Sequence, residues 1–169
     1  MTDKGSSPAP DRRRLLRIYL NDHLLATTIG VDLTRRCLRS NRGTPLGTYL
    51  EQLLAEVTED RAALMELMAA LELPVDRLKV ALGGLGEKIG RFKLNGRLRG
   101  YSDLSRLWEL DGIGAGIDLK LALWTSLASV PTADPRLGST DLNRLIERAN
   151  GQRAALEGHR LQAAGRALG

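Results

Sequence analysis

Leu50, Leu53, Val57, Asp60, Leu64, Leu67 and Leu71 stand at alternating spacings of three and four residues. An α-helix turns once in 3.6 residues, so this rhythm places all seven on one stripe. A stripe of that length is buried only by packing against other helices. One of its members is an aspartate, and a carboxylate inside an apolar stripe has to meet a cation, a hydrogen-bond donor or a metal ion. The feature therefore specifies a helical assembly and a polar question at its centre.

The same rhythm recurs along the chain and predicts five helices, over 12–40, 46–73, 75–94, 102–130 and 140–166. Leu16, Leu20, Leu24, Val31 and Leu38 mark the first, with Thr27 and Thr34 set among them. Asn41–Gly43 supplies the turn after it, and Pro74 stops the second. The third carries Val75, Leu78, Leu82, Leu85, Ile89 and Phe92, but also Gly83, Gly84, Gly86 and Gly90. Each of those glycines costs about 1 kcal/mol relative to alanine, making this the weakest helix. Ser102 caps the fourth, whose stripe reads Leu107, Leu110, Gly114, Ile117, Leu121, Trp124 and Ala128. The fifth reads Leu142, Leu145, Ala149, Gln152, Leu156, His159 and Ala163. No segment alternates with the period of a strand. Residues 1–11, rich in Ser, Pro and Gly, are expected to form a disordered tail, with 12–169 as a single helical domain.

Composition excludes several classes. One cysteine, Cys37, makes no internal disulfide or CxxC metal site. No apolar run is long and uncharged enough to span a membrane, and MTDKGSSPAPDRRR has no apolar signal-peptide region, so a soluble, cytoplasmic protein is expected. A net charge of +5 is modest, and solubility accounts for it. Its densest part, EKIGRFKLNGRLRGYSD at 87–103, holds Arg91, Lys93, Arg97 and Arg99. An Asn95-Gly96 hairpin would set Phe92 and Leu94 opposite arginines and bury nothing. A helix end suits the stretch better, with Gly96 closing the helix and basic residues against its negative pole. A nucleic-acid grip by Arg with Phe or Tyr is the weaker alternative, and nucleic acid is not an expected partner.

YLEQLLAEVTEDRAALMELMAALEL (49–73) and LKLALWTSLASV (119–130) are similar to helices of the ferritin-like family. More narrowly, the chain resembles the small bacterial ferritin-like proteins linked with stress responses. That resemblance implies an all-α, ferritin-like four-helix bundle with an additional crossover helix. The helices over 12–40, 46–73, 102–130 and 140–166 would form the bundle, and 75–94 with its basic strap the crossover. Di-iron bundles of this type carry Glu-x-x-His on two helices. No Glu-x-x-His occurs here, and there are only two histidines. A standard ferritin-type site is thus absent, no cofactor is expected, and enzymatic activity is not indicated.

Polar residues nonetheless fall on or beside the stripes: His23, Thr27, Asp60, Asp111, Asp118, Gln152 and His159. Folding the hairpins about their loops sets Asp118 opposite Gln152, Asp111 opposite His159, and Asp60 beside Thr27 to Ile29. Two readings follow. In one, Asp60, Asp118 and Glu56, with His23 or His159, hold a divalent metal such as Fe, Mn or Zn. In the other, which the nearby Arg61, Lys120 and Arg153 favour, the acids are neutralised within a hydrogen-bond network. The expected role is a self-associating or partner-binding bundle, a homo-oligomer or one member of a protein complex. A carboxylate-rich metal-binding or redox protein of the stress-response type is the alternative, and a DNA-associated bundle is a weaker one.

Overall fold

The computed structural model describes residues 11–76, 101–130 and 140–169. They form four long helices: α1 (Arg12–Ser40), α2 (Pro45–Ala70), α3 (Asp103–Ser129) and α4 (Leu142–Leu168). All four starts follow the cap rule, in which a side-chain oxygen accepts an otherwise unpaired N–H. Asp11 accepts from Arg13 and Arg14, Ser102 from Ser105, and Asp141 from Arg144. Thr44 caps α2, with Pro45 at its first position. Most of the helix predicted over 75–94 and the basic strap Arg91, Lys93, Arg97 and Arg99 lie outside the described residues.

The predicted second helix runs too far, because α2 ends at Ala70 rather than residue 73. Its end is a Schellman motif: Leu73 N–H donates to Met68 O at 2.9 Å and Glu72 N–H to Ala69 O at 2.9 Å. Leu73 and Met68 then pack in the same apolar cluster. Arg13, from the basic run that opens α1, donates to Leu71 O and Glu72 O and so satisfies the carbonyls at this end. Glu72 occupies the left-handed position, with φ of 53°, where an L-residue costs about 1–2 kcal/mol and glycine is the usual occupant. Glycine's greater freedom in the unfolded chain offsets part of that gain. Glu72→Gly is therefore expected to raise stability by about 0.5–1 kcal/mol, read as a higher urea midpoint. A lower midpoint would show that the Glu72 side chain contributes more than its backbone costs.

Direction is fixed by contacts at the helix ends. Arg36 meets Glu109, and Leu33 abuts Gly112, so α3 runs antiparallel to α1. Asp60–Arg148 and Glu56–Gln152 contacts make α4 antiparallel to α2. α1 and α2 are antiparallel as well, since Arg13 at the start of α1 meets Leu71 at the end of α2, so α2 and α3 are parallel. The chain leaves α2 beside Arg13 and re-enters at Tyr101, beside Asn41. With 29 residues in α1, those points are about 40 Å apart at 1.5 Å per residue. The topology is up-down-down-up with one long connection, not a sequential meander. α1 packs on α2 and α3, α3 packs on α4, and α2 and α4 meet more sparsely.

The apolar interior is in two parts. One holds Leu20, Leu24, Leu64, Leu67, Trp124 and Leu145, the other Val31, Leu50, Leu53, Ile113, Ile117 and Leu156. Each fully buried leucine contributes about 1.5–3 kcal/mol relative to exposure. Between the two parts every helix presents a polar residue: Thr27, Asp60, Lys120 and Gln152. This level is the centre of the molecule.

Candidate functional site

Asp60 is buried to 1 % exposure and Lys120 to 4 %. Lys120 Nζ donates to Asp60 Oδ2 and to Gln152 Oε1. Arg148 Nη2 donates to the other carboxylate oxygen, Oδ1. Gln152 Nε2 donates to Glu56 Oε2 at 3.0 Å and to Asp60 Oδ2 at 3.3 Å, while Arg148 Nη1 reaches Glu59 Oε2 at 2.8 Å. The carboxylate is thus enclosed by two cations and an amide, the hydrogen-bonding partners that a buried acid requires. Burial pulls the Lys120 ammonium below its usual range, opposed by Asp60 and its hydrogen bond. Arg148 Nε is buried without a hydrogen-bond partner among the described residues, so the network is not fully satisfied.

The metal candidates do not converge. Glu56 and Asp60 share the network through Gln152, but Asp118 is half exposed and pairs with Arg153 at 2.8 Å. Asp111, expected in the interior, also stands at the surface and pairs with Arg160 at 3.5 Å. Both carboxylates lie on the flank of α3 toward α4. The predicted register across that hairpin is nevertheless correct to one residue, Arg153 and Arg160 replacing Gln152 and His159 as the opposite partners. His23 is buried in α1 edge-on to Tyr19, with ring centroids 4.4 Å apart. Burial lowers its pKa against the opposing effect of Asp22. His159 stacks on Tyr49 at 4.6 Å, and Tyr49 in turn donates to Gln152 O. Thr27 bonds to the backbone carbonyl of His23 at 2.7 Å. Among the described residues, no three His, Cys, Asp or Glu side chains are grouped to hold a metal ion. The residue that meets α1 at the level expected for Asp60 is its neighbour Arg61, whose Nε donates to the Thr28 hydroxyl.

Arg148 is the member that sequence reasoning missed. It stands one turn before Gln152 and one turn after Leu145, and that position is its only signal. Lys120 appeared as a neighbouring cation, yet it occupies the core stripe itself. The buried stripe of α3 is Leu110, Ile113, Ile117, Lys120 and Trp124, rather than one through Gly114 and Leu121. Apolar residues on several sides of α3 conceal which face is inward.

A second polar group closes the end of the bundle. Tyr101 OH donates to Glu109 Oε2 at 2.9 Å and accepts from Asn41 Nδ2 at 2.9 Å. Arg36 holds the other oxygen of Glu109, and Arg106 Nε donates to Asn41 Oδ1 at 2.8 Å. Cys37, fully buried beneath them, lies 3.8 Å from the Tyr101 oxygen. Burial and the Glu109 charge push its thiol up to about 12. Because the thiolate is the nucleophile, native protein at pH 8 is expected to resist alkylation by iodoacetamide, with full labelling only in denaturant. Rapid labelling of the native protein would show that this end opens.

No family model, curated protein or solved structure matches the chain. No helix among the described residues is long and apolar enough to cross a membrane.

Proposed function

We propose that the chain is a non-enzymatic, ferritin-like bundle that associates with itself or with a protein partner, its interior charged residues serving structure rather than metal chemistry. The observation that carries this reading is the Lys120–Asp60–Arg148 cluster. At mid-bundle, where di-iron proteins converge carboxylates and histidines, two cations occupy the space around the buried carboxylate. The single long connection between parallel α2 and α3 supports the ferritin-like part of the reading.

Support for association comes from the outer side of the α1–α3 seam. Ile18 and Ile29 are separated by three turns and lie within about 20° of one another on α1. Trp108 and Leu119 have the same relation on α3, and all four are 40–51 % exposed. Ile29 is one turn from Leu33, and Trp108 one turn from Gly112, the pair through which the helices touch. Exposed apolar residues ranged along one seam favour a protein contact.

Two measurements test the proposal. After anaerobic loading with Fe(II), Mn(II) or Zn(II) and desalting, well under one metal per chain is expected. Near-stoichiometric metal lost in Glu56→Gln would overturn the reading and establish a carboxylate metal site. Sedimentation equilibrium is expected to give a mass above the 18.5 kDa chain, falling toward it in Ile29→Glu/Leu119→Glu. A wild-type monomer throughout would remove self-association and leave the partner-binding half.

A further inference from the structure

At the end of the bundle where α2 begins and α4 finishes, there is a recess of about 90 Å³. A single water needs roughly 10–15 Å³ on this measure, so the recess admits a small polyatomic ion. Its polar walls are Asn41, Thr44, Arg106, His159, Gln162 and Arg166. Among the described residues, no carboxylate lines it.

Two of these walls are held in place. Arg106 donates to Asn41 and to Asp103, and its guanidinium lies over the Tyr101 ring, 5.4 Å from the centroid. His159 is set by its stack on Tyr49. Two more have donors to spare. Gln162 and Arg166 make no hydrogen bond or ion pair among the described residues, and neither does the His159 ring beyond its stacking contact. The first turn of α2 contains no acid, so the partial positive charge of its N-terminus adds to the same side.

We propose that this recess binds a phosphate group, with Arg166, Gln162 and His159 donating from α4 and the fixed Arg106 supplying charge from α3. Guanidinium groups suit such an anion because their planar N–H edges match pairs of phosphate oxygens. The phosphate is either the free inorganic ion or the terminal group of a small monoester. Macromolecular phosphate is disfavoured by the recess's small volume. This site is independent of the metal question and of the α1–α3 surface.

The test is a ¹H–¹⁵N titration of the full chain with inorganic phosphate, then with methyl phosphate, each against chloride at matched ionic strength. Saturable shifts are expected at Leu46, Gly47 and the Arg166 side chain. Arg166→Gln, an exposed change that breaks no contact, is expected to weaken binding about tenfold, the worth of one charge-assisted pair. Arg153→Gln, which removes an equal charge at the Asp118 pair, is expected to leave it unchanged. Binding of both probes assigns a monoester site, and binding of phosphate alone assigns a free-ion site. Absence of saturable shifts, or equal weakening by the two variants, would overturn the proposal.

Discussion

Asp60→Ala is expected to lower stability by about 3–5 kcal/mol, because it strands Lys120 and Arg148 without the carboxylate that both contact. Most of that loss is the cost of leaving charge buried and uncompensated, rather than the net worth of the ion pairs. The contrast with Asp60→Leu/Lys120→Met makes this checkable. Removing the carboxylate together with its most buried partner, with apolar groups of similar volume, is expected to cost much less than Asp60→Ala alone. Urea unfolding of wild type, Asp60→Leu, Lys120→Met and the double variant gives the coupling directly. At about 2–4 °C per kcal/mol for a chain of this size, Asp60→Ala should also lower Tm by about 10 °C. A loss below about 1 kcal/mol would mean that the two cations do not depend on Asp60.

Gly47→Ala is the second large effect. A Cβ at this position would stand 2.3 Å from Asn41 O and 3.1 Å from Asn41 C. Both are backbone atoms of the tight α1–α2 turn, held by Thr44 N–H donating to Asn41 O and by Thr44 Oγ1 donating to the same oxygen. They cannot move aside as a side chain would, so the expected loss is about 3 kcal/mol or more. Gly30→Ala is the control. A Cβ there meets nothing within 4 Å, and alanine in a helix interior is favoured by about 0.8–1 kcal/mol. Opposite signs for the same chemical change, measured by thermal and urea unfolding, would separate close approach from helix propensity. Equal signs would mean the α1–α2 turn relaxes around the added methyl.

The periodic pattern made the four described helices legible to within a few residues, since burying a stripe is a local consequence of spacing. Ser102 as a cap and the register of α3 against α4 followed from equally local rules. The end of α2 did not, because Glu72 takes a conformation ordinarily associated with glycine and Pro74 drew the boundary outward. Asp111 and Asp118 were misplaced for another reason. A helix as apolar as α3 offers more than one plausible stripe, and the neighbours it acquires select among them. The group of Cys37, Asn41, Tyr101, Glu109 and Arg106 had no signal at all, as its members come from α1, α3 and the residues just beyond their ends, joined by no continuous motif.

What the sequence by itself determined is that the chain forms amphipathic helices and that Asp60 goes inside with the leucines around it. What only the tertiary structure decided is the company it keeps. Helix periodicity is set by backbone geometry within a few residues, whereas charge neutralisation depends on distances between helices. Those distances exist only once α3 and α4 have delivered Lys120, Gln152 and Arg148 to the level of Asp60. The same sequence position that permitted a metal ligand became, in the folded bundle, the anion of a buried salt-bridge network.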